Sequence, residues 1–240
     1  NQLISGKPTF NVAIPREVRI MCYIFTARKT QFLIVNDKQL EILAGCVLGD
    51  GYIFKRGAIQ IEQGSSQKEY LLWKYNELKD LVSVKPSQVF RIQKSGRVTS
   101  SFRFILRQYF RKWRIKIYRN GKKVINDELL KILTPLSLAV WYMDDGCKKN
   151  NYTLIISTDA FSKNSLKKLR NHLRDKWSIR TRVKLKREKT NNKVYERLTI
   201  GSHDLVKFVE LIRPYIIPSM QYKIPDPLTT QSIKRIHRKY

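Results

Sequence analysis

Two stretches of nine residues in this chain repeat one pattern: LAGCVLGDG at positions 43–51 and LAVWYMDDG at positions 138–146. Each begins with Leu-Ala, continues as an apolar run, and ends with an acidic residue followed by glycine. This order predicts the last turns of an apolar helix that is stopped by a glycine able to adopt a left-handed cap. The sequence therefore predicts two similar helices, which end at Asp50 and Asp145.

The two aspartates lie at an unfavourable place for a carboxylate, because the free carbonyls of a helix C-terminus already carry partial negative charge. If the two helices pack side by side with their ends level, Asp50 and Asp145 meet near backbone carbonyls. Such hard oxygen atoms are the ligands that magnesium and calcium require. For a single copy, the simpler interpretation is that Asp-Gly is a common turn dipeptide. Because the arrangement occurs twice, we favour a paired metal site.

Both stretches resemble the LAGLIDADG motif of homing endonucleases and intron maturases. Asp50 and Asp145 match the metal-binding acidic position of that motif, and Gly51 and Gly146 match its final glycine. The resemblance extends over about residues 36–225 and is greatest to single-chain, intron-encoded endonucleases of the mitochondrial omega type. A correctly spaced pair of motifs makes this resemblance far more specific than one nine-residue match.

The order of predicted elements also repeats, with Asp145 lying 95 positions after Asp50 and Lys223 lying 100 positions after Lys123. Two tandem copies of a unit that carries half a site predict a fused pseudo-dimer with the site on its pseudo-twofold axis. The resemblance implies an α+β fold of two αββαββα-like repeats, with the motif helices at the interface and antiparallel sheets forming a DNA-binding saddle. We expect an N-terminal arm at 1–35, repeats at 36–133 and 134–225, and a basic C-terminal tail at 226–240.

The charge of the chain points to a polyanionic partner. Its 48 Lys and Arg residues against 19 Asp and Glu residues give a formal net charge of +29, which favours nucleic acid over a membrane surface. We expect no membrane association, since no apolar run reaches the ~20 residues that span a bilayer. The three scattered cysteines indicate no zinc site or disulfide framework and suggest a reducing compartment. The resemblance and the Lys-, Asn-, Ile- and Tyr-rich composition favour an organelle, mitochondrion or chloroplast.

Hydrophobic periodicity places helices and hairpins between the motifs. Leu71, Tyr75, Leu78 and Val82 repeat at helical spacing and predict one buried face. A hairpin is predicted with strands at about 89–93 and 101–107, and a second hairpin occupies the matching place in the other half.

In both hairpins one strand face is apolar and the other carries Arg, Lys, Ser, Thr or Tyr, which fits a ribbon laid into a DNA major groove about 12 Å wide. The alternative is a solvated outer face, which recurrence in both halves disfavours. The candidates for DNA contact are Lys55, Arg56, Arg91, Gln93, Arg103, Arg107, Lys148, Arg182, Lys184, Lys186, Tyr195 and Arg197.

The resemblance implies that Asp50 and Asp145 bind divalent metal ions, one aspartate serving each DNA strand. Mg²⁺ is the expected cofactor, Mn²⁺ is expected to substitute, and Ca²⁺ is expected to support binding without cleavage. Metal ions act as Lewis acids and lower the pKa of bound water. Gly49 and Asp144 precede the two aspartates and complete the candidate ligand set. For Asp144 we expect the carbonyl, and not the side chain, to reach the ions.

The resemblance also implies a basic residue beyond the hairpin of each half, which orders water and offsets phosphate charge. Lys223 matches this position in the second half, and Lys123 matches it in the first, although Lys122 could exchange roles with it. A solvated phosphate contact is the alternative for these lysines. A polar residue at the end of the second strand of each half commonly lies beside the metals, and Gln63 and Asp159 match it.

The leading functional hypothesis is a monomeric, metal-dependent, site-specific DNA endonuclease that initiates intron homing. It would cut both strands of a long, largely asymmetric site and leave 3′ overhangs. The first alternative is an intron maturase that binds its host intron RNA, since a strongly basic surface suits RNA equally well. The second is a DNA-binding module with an inactive site. Two intact acidic positions disfavour the second alternative and, more weakly, the first.

Overall fold

The chain folds as two repeats of one element order in a computed structural model that describes residues 23–28, 31–188, 192–226 and 230. A hairpin of β1 (Tyr23–Arg28) and β2 (Gln31–Val35) comes first. The first repeat comprises α1 (Asp37–Leu48), β3 (Tyr52–Ile53), β4 (Ile59–Gly64), α2 (Lys68–Leu78), β5 (Val82–Ile92), β6 (Val98–Leu106) and α3 (Arg111–Ile117). A connection follows with β7 (Tyr118–Arg119), β8 (Lys122–Lys123) and α4 (Asp127–Lys131).

The second repeat has the same order as the first. It comprises α5 (Pro135–Asp145), β9 (Gly146–Asn150), β10 (Thr153–Ile156), α6 (Lys163–Trp177), β11 (Arg182–Arg187), β12 (Val194–Ile200) and α7 (Ser202–Ile212). Two 3₁₀ turns, Arg213–Tyr215 and Pro218–Lys223, come after α7. The predicted α+β fold of two αββαββα repeats is confirmed.

The two main sheets have identical topology. Both are antiparallel and four-stranded, with strand orders β3-β4-β6-β5 and β9-β10-β12-β11. Ile61 pairs with Phe104 in the first sheet, and Ile156 pairs with Leu198 in the second. Ile61 and Ile156 are 95 positions apart, as are the two motif aspartates. One offset therefore relates the motif helices and the strands that follow them.

Both motif helices begin at a capping box. The Asn36 side chain accepts a hydrogen bond from the backbone of Gln39, whose side chain in turn accepts from the Asn36 backbone. Thr134 makes the same reciprocal arrangement at the start of α5, with Pro135 as the first helical residue. Because each cap satisfies backbone donors that would otherwise be free, the start of each helix is fixed by local sequence.

The motif helices α1 and α5 pack directly against each other in the core. Gly45 makes this approach possible, because a Cβ atom there would lie 2.6 Å from both the Ser137 carbonyl oxygen and the Val140 Cβ. The side chains around it, from Ile42 to Leu48, are buried. The contact also brings Gly49 beside Asp144 near the ends of the two helices, where a Cβ on Gly49 would lie 2.5 Å from the Asp144 carboxylate.

The ends of the motif helices differ from the prediction. The helix predicted to end at Asp50 ends at Leu48. The predicted left-handed glycine cap is wrong, since Gly146 has a φ of −84° and Gly51 is not among the described glycines of positive φ. Close contacts require glycine instead, because a Cβ would lie 2.6 Å from the Cys46 carbonyl oxygen at Gly51 and 2.4 Å from the Tyr142 carbonyl oxygen at Gly146.

Two further elements, both in the first repeat, have different bounds in the structure. The helix predicted from Leu71 to Val82 ends at Leu78, and Val82 begins β5. The strand predicted at 89–93 is therefore longer, and it passes through Pro86 with a register irregularity between Val84 and Ser87. Since β5 is an edge strand, a proline without an amide hydrogen is tolerated there.

Part of the predicted N-terminal arm packs on the first repeat. The Phe25 ring lies 4.9 Å from the Phe110 ring and 5.5 Å from the Trp113 ring, measured between centroids, and Leu33 and Val35 are buried. The rest of that arm, most of the predicted tail and residues 189–191 of the last hairpin lie outside the described residues. Within the described ranges, no helix is long and apolar enough to cross a lipid bilayer.

We expect Gly45→Ala to lower the free energy of unfolding by about 1–3 kcal/mol, because the added methyl group forces the two motif helices apart. Urea denaturation followed by circular dichroism measures this change. Gly64→Ala is the matched control, since a Cβ there meets nothing closer than 4.0 Å. Equal destabilisation by the two variants would contradict the close helix contact.

Candidate active site

The two motif aspartates line one cleft at the ends of α1 and α5. The cleft has a volume of about 330 Å³. It is lined by Leu48, Gly49, Asp50, Gly51, Tyr52, Lys123, Asp145, Ser157, Asp159, Ala160 and Phe161. Residues of both repeats and of the connection between them therefore form a single site, as expected for half-sites joined in one chain.

Two lysine side chains reach the backbone just before each motif aspartate. Lys123 Nζ donates a hydrogen bond to the carbonyl of Gly49, and Lys223 Nζ donates to the carbonyls of Met143 and Asp144. The two lysines thus occupy corresponding places beside Asp50 and Asp145. Burial lowers the pKa of both lysines, because a charged ammonium group is disfavoured away from water.

The structure places Lys123, and not Lys122, in the cleft. The backbone amide of Lys123 donates to the carbonyl of Ala160 in the second repeat, at 2.9 Å. Lys123 lines the cleft, whereas Lys122 is exposed. The sequence matched Lys123 to this position but left Lys122 as an alternative, because the choice depends on how β8 docks onto the second repeat.

The Asp144 side chain points into the protein. It is fully buried and forms an ion pair with Lys74, whose Nζ lies 2.5 Å from Oδ1. Its Oδ2 accepts from the backbone amide of Asp50 at 3.2 Å. The Asp144 side chain is thus engaged within the protein, and its carbonyl accepts from Lys223. That this carbonyl, and not the side chain, would bind a metal ion stays a prediction.

The two polar residues expected beside the site have different surroundings. Gln63 Nε2 donates to Asp50 Oδ2 at 3.0 Å and to Asp144 Oδ1 at 3.1 Å. Asp159 lines the cleft but pairs with Arg197 at 3.1 Å. The strand register makes Thr158 the counterpart of Gln63, since each lies two residues after the paired Ile61 or Ile156.

The protein itself does not fully neutralise the negative charge of the carboxylates in the cleft. Burial, followed by the negative charges of Asp50 and Asp144, raises the pKa of Asp145 to about 7. A bound cation would reverse this effect. The oxygen donors available are the carboxylates of Asp50 and Asp145 and the carbonyls of Gly49 and Asp144, which suit a hard divalent ion. The described part of the chain contains no cluster of three or more His, Cys, Asp or Glu side chains arranged for a metal.

The strand registers place most of the predicted contact residues on one face of each sheet, opposite the core, which we call the polar face. In the second sheet Lys184 pairs with Arg197, Lys186 pairs with Tyr195, and Arg182 pairs with Thr199. In the first sheet Arg91 and Arg103 share this face, with Arg107 at its edge and Gln93 near the hairpin tip. Lys55 and Arg56 are exposed in the β3–β4 turn.

Lys148 is the exception among these candidates. It pairs with Leu154, whose side chain is buried in the core, so Lys148 lies on the other side of the sheet.

Lys74 and Glu62 are two charged residues that the sequence reasoning missed. Lys74 is completely buried on α2, and its signal in the sequence is a lysine within an apolar helical stripe. Glu62 lies on the polar face, where it contacts Arg91 at 2.5 Å and accepts from the Ser101 hydroxyl at 2.5 Å. The signal of Glu62 in the sequence, a single acidic residue among basic strand residues, is hard to distinguish from an ordinary surface position.

Comparison with known proteins agrees with this architecture. Residues 40–208 match the LAGLIDADG DNA endonuclease family. The chain belongs to this family. Its fold matches the homing endonuclease I-WcaI bound to its DNA recognition sequence with a TM-score of 0.68 and 29% sequence identity, covering 78% of this chain and 86% of that chain. The family assignment made from the two motifs is confirmed.

Curated relatives of this LAGLIDADG protein carry different names. It is 30% identical over 200 residues to cytochrome b mRNA maturase bI2 of Debaryomyces hansenii, covering 79% of this chain and 74% of that protein. It is also 30% identical over 216 residues to Protein RecA of Mycolicibacterium flavescens, covering 82% of this chain and 49% of that protein. This chain therefore spans about half the length of the second relative.

In the absence of metal, we expect Asp145→Asn to stabilise the protein, and we expect this stabilisation to grow as the pH rises. The pKa of an aspartate is about 3.9 in an unfolded chain and about 7 for Asp145 in the folded protein. Between these values the folded state binds more protons, so stability falls as pH rises. The melting temperature of Asp145→Asn should exceed that of the wild type by a few degrees at pH 8, with a smaller difference at pH 4.

Thermal unfolding in EDTA across this pH range measures the effect. Asp175→Asn, at an exposed position on α6, is the control for loss of a negative charge. A difference between Asp145→Asn and the wild type that does not grow with pH would contradict the crowding of carboxylates in the cleft.

Proposed function

We propose that this protein is a site-specific endonuclease that hydrolyses both strands of a long, largely asymmetric DNA site and acts as a monomer. One observation carries the proposal: both motif carboxylates and Lys123 line a single cleft, and Lys223 reaches the backbone carbonyl that precedes Asp145. Binding alone requires the basic faces but not the paired carboxylates. Cleavage is proposed to leave 3′ overhangs and to initiate homing of a host intron.

Asp50 and Asp145, with the carbonyls of Gly49 and Asp144, are proposed to bind divalent ions, with Mg²⁺ as the working cofactor. Such ions would supply Lewis-acid stabilisation of the phosphate and a water molecule of lowered pKa. The two carboxylates lie at the ends of α1 and α5, and Gly45 permits the close packing of these helices. Fixed ligands of this kind need no reorganisation during the reaction.

Lys123 and Lys223 are proposed to order water and to offset negative charge that develops on the phosphate. Their ammonium groups already lie beside the carbonyls that precede each aspartate. Because both side chains are largely buried, their positive charge is less screened than that of a surface lysine. Gln63, which donates to Asp50, and Asp159, which lines the cleft, are proposed to assist in the two halves.

The polar faces are proposed to contact DNA in the major groove on either side of the cleft. Paired side chains such as Lys184 with Arg197 present adjacent hydrogen-bond donors, which suit both phosphates and the acceptor edge of guanine. Residues 36–133 and 134–225 are proposed as the two units that each contact one half of the site. Origin from an organellar intron is proposed from the composition and from the maturase relative.

We expect discrete double-strand cuts when the protein is incubated with the intron-minus allele of its host gene, or with a library of randomised long sites, in Mg²⁺. Mn²⁺ should substitute for Mg²⁺, and Ca²⁺ should support binding without cutting. Asp50→Asn and Asp145→Asn should each lower cleavage by at least ~100-fold, since each removes a charge that acts in the transition state. Sequencing of the ends measures position and overhang.

Tight binding without any cut in Mg²⁺ would contradict the endonuclease proposal. Lys122→Met is the matched control for Lys123→Met, because Lys122 is the exposed neighbour. Loss of cleavage in Lys122→Met alone would show that the wrong lysine had been assigned.

We expect Lys184→Ala to weaken DNA binding and to reduce the slope of log affinity against log salt by about 1, as for loss of one phosphate contact. Fluorescence anisotropy at several salt concentrations measures the slope. Lys167→Ala, an exposed change on α6, should leave it unchanged. An equal change in both variants would show that binding follows net charge and not the polar face.

A maturase is the second candidate, favoured by the 30% identity to cytochrome b mRNA maturase bI2 over 74% of that protein. In that case the basic surface binds the host intron RNA and promotes its folding. Splicing of the intron transcript with and without the protein tests this function. Splicing assistance that survives Asp50→Asn would establish a function independent of the cleft.

A further inference from the structure

The buried ion pair between Lys74 and Asp144 lies directly behind the cleft. Both side chains are fully buried, and the Lys74 ammonium also stacks over the Tyr70 ring, 4.1 Å from its centroid. The Tyr70 hydroxyl donates to the carbonyl of Val140 at 3.0 Å. Lys74 on α2 is therefore held against α5 by a charge, a ring and a backbone contact. A buried charge costs free energy unless it is paired, so this lysine needs a specific explanation.

The pair joins the two repeats, and the pseudo-twofold axis does not repeat it. Counterparts in the two repeats are 95 positions apart, and the buried residues of α2, Tyr70, Leu71, Lys74 and Leu78, match those of α6, Ser165, Leu166, Leu169 and Leu173. Leu169 therefore occupies the position of Lys74 in the second half. The position of Asp144 is occupied by Gly49 in the first motif. Both charged members of the pair are therefore replaced by uncharged residues at the matching positions, Leu169 in the second repeat and Gly49 in the first.

The network that starts at Lys74 ends on Asp50 and not on Asp145. The Asp144 carboxylate accepts from Lys74, from Gln63 and from the backbone amide of Asp50. Gln63 in turn donates to the carboxylate of Asp50. The strand counterpart of Gln63 is Thr158, whose hydroxyl donates to the carbonyl of Glu196 instead. One motif aspartate is thus held by a buried chain of polar contacts that the other lacks.

We propose that Lys74 is a positioning residue that orients Asp50 through Asp144 and Gln63, and that it makes the two halves of the active site inequivalent. The inference rests on the proposed function, because it concerns the two strand cuts of that reaction. Lys74 is not among the residues that line the cleft, and its ammonium group pairs with Asp144, so it is proposed to act through the side chains between. A role limited to packing would affect both strands alike.

Strand-resolved cleavage of a plasmid target by Lys74→Met tests the proposal. Methionine keeps the length of the side chain and removes the charge, so the unpaired Asp144 carboxylate should displace Gln63 and Asp50. Small misplacements of reacting groups cost about 100-fold in rate. We expect a loss of that order on one strand with much less on the other, and therefore accumulation of nicked plasmid.

Leu169→Met is the matched control, since it changes the corresponding buried position without changing charge. It should leave the ratio of the two strand rates as in the wild type. The double variant Lys74→Met with Asp144→Asn should return the ratio toward the wild-type value, because neither buried charge is then left unpaired. If Lys74→Met does not fold, Lys74→Gln, which keeps a hydrogen-bond donor, carries the same test.

Equal loss on both strands in Lys74→Met, or the same strand bias in Leu169→Met, would overturn the positioning role. Absence of cleavage in the wild type would be a failure of the proposed function and not of this inference. Crystal structures of the wild type and Lys74→Met then decide the inference without any activity. The proposal requires that the 3.0 Å contact of Gln63 with Asp50 is lost in the variant, and its persistence would overturn the proposal.

Discussion

The close contact of α1 with α5 is the interaction on which the rest of this structure depends. Gly45 lets the backbone of one motif helix approach the other within a distance that any side chain would prevent. The two helix ends therefore lie together, and both motif carboxylates face one cleft. Each four-stranded sheet follows directly from its motif helix in the chain. The packing of α1 against α5 therefore both forms part of the core and brings the site residues together.

Electrostatics in the cleft follow from that packing. Three aspartates, Asp50, Asp144 and Asp145, meet at the helix ends, where backbone carbonyls add further negative charge. Lys74 compensates the deepest carboxylate, while Lys123 and Lys223 reach the carbonyls. Burial and the remaining negative charge of Asp50 and Asp144 raise the pKa of Asp145. A chain with a net charge of +29 thus keeps a local concentration of carboxylate and carbonyl oxygen atoms at the ends of its motif helices.

Fusion of the two repeats in one chain permits differences between them that a symmetric homodimer excludes. In a homodimer each substitution occurs on both sides of the axis, so a buried lysine would be paired or unpaired twice. Here Lys74 of the first repeat pairs with Asp144 of the second, whereas the matching positions, Leu169 in the second repeat and Gly49 in the first, carry no charge. The two repeats therefore share one fold, while the contacts that support the site differ between them.

The sequence by itself determined the two motif helices, the repeat offset of 95 and the alternation of the hairpin strands, because these depend on local hydrogen bonds and on periodicity. It did not determine how the motif helices end, because the glycines there are required by close contacts and not by a left-handed cap. The family and fold assignments rested on the same short-range patterns. Only the tertiary structure decided that Lys123 and not Lys122 enters the cleft, and that Lys74, within a stripe predicted to be apolar, pairs with Asp144. Periodicity tells which face of a helix is buried, but the partner on that face comes from another element 70 residues away in the chain, which no local pattern specifies.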